Sequence, residues 1–154
     1  INSAVDRCRH RLADRRVVID VPPDLPLIHV DPVLIQQALV QIFDNAVKYS
    51  ESGSQIKVAA RTQDGRLNID VADKGAGLTI PETAKIWDRF ARGERHAATT
   101  SGSGLGLWIA SAFIGANDGK VSATSEGPGL GTTVSIELPV SQAALPQFES
   151  GADE

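Results

Sequence analysis

The spacing of apolar residues changes several times along the chain, and each change marks an element. Residues 3–13 read as the tail of a helix, after which Val17, Ile19 and Val21 alternate with Val18 and Asp20 in the period of a strand. Pro22-Pro23 ends that strand, because proline donates no backbone hydrogen bond. An extended run from Leu27 to Val30 leads to Asp31-Pro32, an N-cap followed by proline at the first helical position. From Pro32 to about Tyr49, Leu34, Ile35, Ala38, Leu39, Ile42, Phe43, Ala46 and Val47 recur at helical spacing and predict a single buried face. Strands are predicted over 55–61 and 66–73, paired antiparallel across the hairpin signal Asp64-Gly65. Pro81-Glu82 opens a short helix to about Phe90, residues 91–103 lack periodicity and read as a loop, and a second long helix runs from near Gly104 to near Asn117. Turns at Asp118-Gly119 and Gly127-Pro128-Gly129 introduce strands over 120–125 and 132–138. Helices interleaved with hairpins predict an α+β fold, a two-layer sandwich with helices on one face of a mixed sheet.

Composition narrows the function. The 154 residues fit one domain, expected over 1–140, with a polar, frayed tail over 141–154. A net charge of −4 gives no broad attraction to nucleic acid or anionic lipid, so any phosphate recognition must be local. The single cysteine, Cys8, excludes an intrachain disulfide and a multi-cysteine metal cluster and fits a reducing compartment. No apolar run approaches the roughly 18 residues that span a bilayer, so a soluble, cytoplasmic domain without direct membrane contact is expected. The chain contains no methionine, which leads us to expect a segment of a longer protein.

Four features carry candidate chemistry. Gln41, Asn45, Lys48 and Tyr49 lie along one face of the first long helix, offering amide oxygens suited to Mg²⁺, an ammonium suited to phosphate and an aromatic plane. Taken alone, the stripe is more simply the solvated face of an amphipathic helix. In Asp73-Lys74-Gly75-Ala76-Gly77, Asp73 continues the inward parity of Leu67, Ile69 and Val71, so its carboxylate needs a donor such as the exocyclic amine of a purine. Gly75 and Gly77 would let backbone approach such a ring, although a plain turn with the acid paired to Lys74 has the same text. Gly102-Ser103-Gly104-Leu105-Gly106-Leu107 runs into a helix, and its exposed amides with the helix dipole favour an anion; a flexible linker is the alternative. Thr132 shares parity with Val134, Ile136 and Leu138, so its hydroxyl faces inward as Asp73 does.

In order and spacing these segments resemble the ATPase domain shared by sensor histidine kinases, DNA gyrase, the Hsp90 chaperone and the MutL repair protein. Residues 44–50 are similar to that family's N box, 73–78 to its G1 box, 86–90 to its F box and 102–107 to its G2 box. The F box and the text Asn45-Ala46-Val47-Lys48-Tyr49-Ser50 look most like histidine kinases, and residues 22–31 with Phe90-Ala91-Arg92-Gly93 look like the potassium-responsive Kdp-type sensor kinases. The resemblance implies a Bergerat-type ATP-binding fold using ATP and Mg²⁺. It places Asn45 on the Mg²⁺, Lys48 on phosphate, Tyr49 near adenine and Asp73 on the adenine amino group with a water shared by Thr132. It also makes Gly75 and Gly77 pocket walls, puts Gly102, Gly104, Leu105, Gly106 and Leu107 at the hinge of an ATP lid and against the phosphates, and anchors that lid at Phe90. Asp44 stands where the family often carries an acid that helps orient or activate the incoming histidine.

Gln41 departs from this pattern, occupying the position of the first N-box asparagine and of the gyrase branch's water-activating glutamate; glutamine cannot act as that base. Lys74 replaces a common asparagine, and Trp87 and Trp108 are bulkier than usual. None of His10, His29 and His96 has the surroundings of a phospho-accepting histidine. The resemblance therefore implies partners outside this chain: a dimerisation and histidine phosphotransfer domain, and a response regulator.

Overall fold

The computed structural model describes residues 1–91 and 103–141. The tail expected beyond 141 and most of the expected lid loop lie outside the described residues. In chain order the elements are α1 (Asn2–Arg7), β1 (Arg16–Asp20), α2 (Pro32–Tyr49), β2 (Gln55–Gln63), β3 (Arg66–Asp73), α3 (Ile80–Lys85), α4 (Gly106–Gly115), β4 (Lys120–Thr124) and β5 (Thr132–Pro139). The five strands form one mixed sheet in the order β1-β2-β3-β5-β4, parallel between β1 and β2 and antiparallel elsewhere. The predicted α+β sandwich is thus the observed architecture.

Register explains the core. Leu67, Ile69 and Val71 of β3 stand opposite Leu138, Ile136 and Val134 of β5, and all six are buried. Against this face α2 lays Ile35, Ala38, Leu39, Ile42, Phe43 and Ala46, and α4 adds Ala110 and Ile114. The opposite face is polar, with Arg61 paired to Asp70, which also accepts from the Ser135 hydroxyl at 2.6 Å. One face packed and one solvated is the usual state of an antiparallel sheet.

Helix ends obey local chemistry. Asp31 caps α2, accepting from the amides of Val33 and Leu34 at 2.9 and 3.2 Å. At the other end the Arg15 guanidinium, whose side chain is 7% exposed, donates to the Val47 and Ser50 carbonyls at 3.1 and 2.8 Å and to the Ser50 hydroxyl at 3.1 Å. A cation on these carbonyls complements the negative end of the helix. α3 begins on a capping box between Thr79 and Glu82 but ends at Lys85, short of the predicted Phe90, whose backbone at φ 61° is left-handed. α4 begins at Gly106 rather than Gly104 because Gly104 sits at φ 71°.

Candidate functional site

At the end of β3, Asp73 faces Thr132 of β5 on one side and Ile56 of β2 on the other. Its Oδ1 accepts from the Gly75 amide at 2.8 Å. Burial pushes the Asp73 carboxyl above its ordinary range, and the amides of Gly75 and Thr132 offset part of that rise. The carboxylate is therefore partly desolvated and held by backbone, and no pairing with Lys74 is needed to explain its position.

The segment after Asp73 is clamped on two sides. The Ala76 amide donates to the Tyr49 carbonyl at 2.8 Å, joining the end of α2 to this loop. A Cβ at Gly75 would lie 2.1 Å from that same carbonyl oxygen, so only glycine lets the two chains approach. On the other side, Gly129 and Gly131 donate to the carbonyls of Ala76 and Gly75 at 2.7 and 3.2 Å. Gly77, at φ 66°, would place a Cβ 2.1 Å from the Gly127 carbonyl oxygen. Ser125 ties the arrangement together, donating to the Gly131 carbonyl at 2.6 Å and accepting from Leu78 at 3.0 Å. Ser125 and Gly131 escaped the sequence reading, which took 127–129 only as a turn.

Along α2, Asn45 and Tyr49 are half-buried and Lys48 is exposed. Gln41, on the same stripe, lies against the start of α4, its Oε1 2.9 Å from where a Cβ of Gly106 would stand. Gln41 thus lies beside the first turn of α4, whose N-cap, Leu105, supplies no side-chain hydrogen bond. Such a helix end presents backbone N–H groups without intrahelical partners. Leu107 packs on the core, and Gly104 lies against the backbone of Phe90 and Ala91, so the two ends of the intervening loop meet. Gly102 lies outside the described residues. The Arg89 guanidinium sits 5.5 Å from the centre of the Phe90 ring and 5.2 Å from that of Trp108, a cation–π arrangement at this edge.

Asp44 is placed differently. Its Oδ2 is ion-paired with Arg11, while Oδ1 is shielded from solvent with no hydrogen-bond partner. Among the described residues no three His, Cys, Asp or Glu side chains gather into a metal cage. A divalent cation here would need oxygens brought by a ligand, as Mg²⁺ commonly takes from nucleotide phosphates. Asn45, half-buried one turn beyond Gln41 on α2, carries an amide oxygen, a donor type that such a cation accepts.

Residues 30–142 match the model of the family of histidine kinase-, DNA gyrase B- and HSP90-like ATPases. The chain belongs to that ATPase family. All four motif segments of the domain fall inside the matched span, whereas Arg11 and Arg15 precede it. The ATPase domain is 35% identical over 131 residues to the sensor protein KdpD of Escherichia coli (strain K12), covering 85% of this chain and 14% of that protein. Its fold is similar to the mycobacterial sensor histidine kinase MprB, with a TM-score of 0.79, 26% identity and 90% and 91% of the two chains covered. It is also similar to full-length ShkA in complex with AMPPNP, with a TM-score of 0.79, 29% identity, and 94% of this chain and 30% of that one covered. MprB is a sensor histidine kinase and KdpD a sensor protein, and the domain is a histidine-kinase-type ATPase domain spanning a minor part of the length of KdpD and ShkA.

Proposed function

We propose that this domain binds Mg-ATP and transfers the γ-phosphoryl group to a histidine on a dimerisation and phosphoacceptor domain, initiating a two-component relay to a response regulator. The observation that carries the reading is Asp73, a desolvated carboxylate opposite Thr132 at the mouth of a loop walled by Gly75, Gly77 and Gly131. A carboxylate in that setting favours an N–H donor such as the adenine amino group. The Thr132 hydroxyl holds a water that shares the same donor. Tyr49 packs beside the ring, and Lys48 meets the phosphates.

The uncapped first turn of α4, with Gly104, Leu105, Gly106 and Leu107, supplies amides to the phosphate oxygens. Asn45 holds Mg²⁺, which when bound neutralises phosphate charge. Gln41 has no basic atom to activate water, which favours transfer over hydrolysis. Asp44 orients the acceptor imidazole as its nitrogen attacks the γ-phosphorus; a P–N bond forms, the bond to the β-bridging oxygen breaks, and ADP leaves. Phe90 anchors the near end of the ATP lid that the resemblance implies over 91–103, most of which, Gly102 included, lies outside the described residues. ShkA, a structural relative, holds AMPPNP, an analogue of ATP, which supports the nucleotide assignment. The likeness to KdpD supports a Kdp-type role in potassium or osmotic sensing. Among the described residues no helix is long and apolar enough to cross a membrane; the dependence on ATP places the domain on the cytoplasmic side of its sensor.

The test is γ-labelled ATP with a separately supplied acceptor-histidine domain. Acid-labile label on the acceptor is expected, and acid-stable label would instead mark a serine kinase of the anti-sigma type. Gln41, standing at the position of the first N-box asparagine, favours a second reading, a regulatory module in which ATP binds without catalysis. Tight nucleotide binding with no transferred label would select it.

A further inference from the structure

We infer that Arg11 is a positioning residue for phosphoryl transfer, holding the Asp44 carboxylate in the orientation in which it meets the incoming histidine. This rests on the proposed transfer to histidine. Asp44 precedes Asn45 on α2, and its side chain is 23% exposed. Of its two oxygens, Oδ1 is shielded and has no hydrogen-bond partner, so Oδ2 is the one available to a group arriving from outside. That oxygen carries the ion pair with Arg11. A carboxylate oxygen has two lone pairs, so a guanidinium on one leaves the other for an imidazole N–H.

Arg11 is one rung of a series. Ser3, Arg7, Arg11 and Arg15 stand four residues apart and bond in order to Gln36, Gln36, Asp44 and the Val47–Ser50 end of α2. The N-terminal segment is stitched along the helix, which fixes where the Arg11 side chain can reach. The Arg11 side chain is itself 59% exposed, and a pair so open to water contributes little to stability. Its consequence is orientation: without Arg11, a carboxylate with one oxygen shielded and unpartnered is free to turn that oxygen toward water. The pair uses one guanidinium nitrogen on one carboxylate oxygen, a contact that a lysine ammonium can reproduce.

The experiment measures transfer from γ-labelled ATP to a separately supplied acceptor-histidine domain at saturating ATP, with ATP affinity and Tm measured on the same samples. Arg11→Ala is expected to lower the transfer rate about tenfold, a loss typical of a misplaced catalytic group, with ATP affinity and Tm unchanged. Arg11→Lys should restore most of the rate, and in an Asp44→Asn background Arg11→Ala should cost nothing further. A wild-type rate in Arg11→Ala, a loss that tracks weakened ATP binding or a lowered Tm, or additive effects of the two substitutions would each overturn the assignment. Wild-type protein that binds ATP yet labels no acceptor would overturn the transfer reading itself and this inference with it. Active wild type with an unaffected Arg11→Ala would overturn this inference alone.

Discussion

Asp73 and Thr132 stand directly opposite each other in the β3–β5 ladder, at the end of a row of buried apolar pairs. The ladder thus delivers a carboxylate and a hydroxyl to the same edge of the pocket. If Thr132 holds the water that shares the adenine amine with Asp73, Thr132→Val should weaken ATP binding about 2- to 10-fold, the range of one neutral hydrogen bond. Competition with a fluorescent nucleotide checks this, and unchanged affinity would remove Thr132 from the site.

The raised pKa of Asp73 makes the stability of the nucleotide-free protein depend on pH. Burial lifts the folded-state value above the unfolded value of 3.8, so in the window just above 3.8 the native state binds more protons than the unfolded state. Stability therefore falls as pH rises through that window. Asp73→Asn keeps an oxygen for the Gly75 amide and removes the charge, so its stability relative to wild type should increase from pH 3 to pH 7. Denaturant midpoints at the two pH values decide it; a difference constant with pH would contradict the desolvation argument.

Gly75→Ala tests the close approach of the loop to α2. Its Cβ would meet backbone, the Tyr49 carbonyl oxygen at 2.1 Å, which cannot swing aside as a side chain would. We expect the Ala76–Tyr49 hydrogen bond to break, with a loss of about 1–3 kcal/mol of stability and of nucleotide binding. Urea unfolding with parallel ATP titration measures both, and a silent substitution would mean the loop is free to relax.

Arg15→Ala should remove three hydrogen bonds from the end of α2 and leave buried acceptors behind. A destabilisation of about 2–4 kcal/mol is expected, more than for an exposed ion pair. Arg15→Lys should recover only part, since one ammonium cannot reproduce the fork. Thermal unfolding distinguishes the two.

What could be read from the chain alone was what local chemistry specifies. Asp31-Pro32 and the apolar stripe fix α2 at Pro32–Tyr49, and Asp64-Gly65, both at positive φ, makes the tight hairpin between β2 and β3. A period of two placed Asp73 and Thr132 on the core face. The parallel pairing of β1 with β2 and the insertion of β5 between β3 and β4 depend on contacts distant in sequence. α3 ends early because Phe90 leaves the right-handed region, a choice its side chain does not announce. Arg11 and Arg15 were invisible for another reason: they precede the family's matched span, and their partners lie 33 and 32–35 residues away. Ser125 acts through its hydroxyl on backbone, a role that no motif spells.

In the proposed function Asp73 anchors a Mg-ATP site on this chain. Calorimetric titration of ATP with and without Mg²⁺ into wild type and Asp73→Asn tests it most directly. Binding to wild type should be strengthened by magnesium, and binding to Asp73→Asn should be about 10- to 100-fold weaker, the loss of a hydrogen bond to a charged acceptor. Equal affinity of the two proteins for ATP would contradict it.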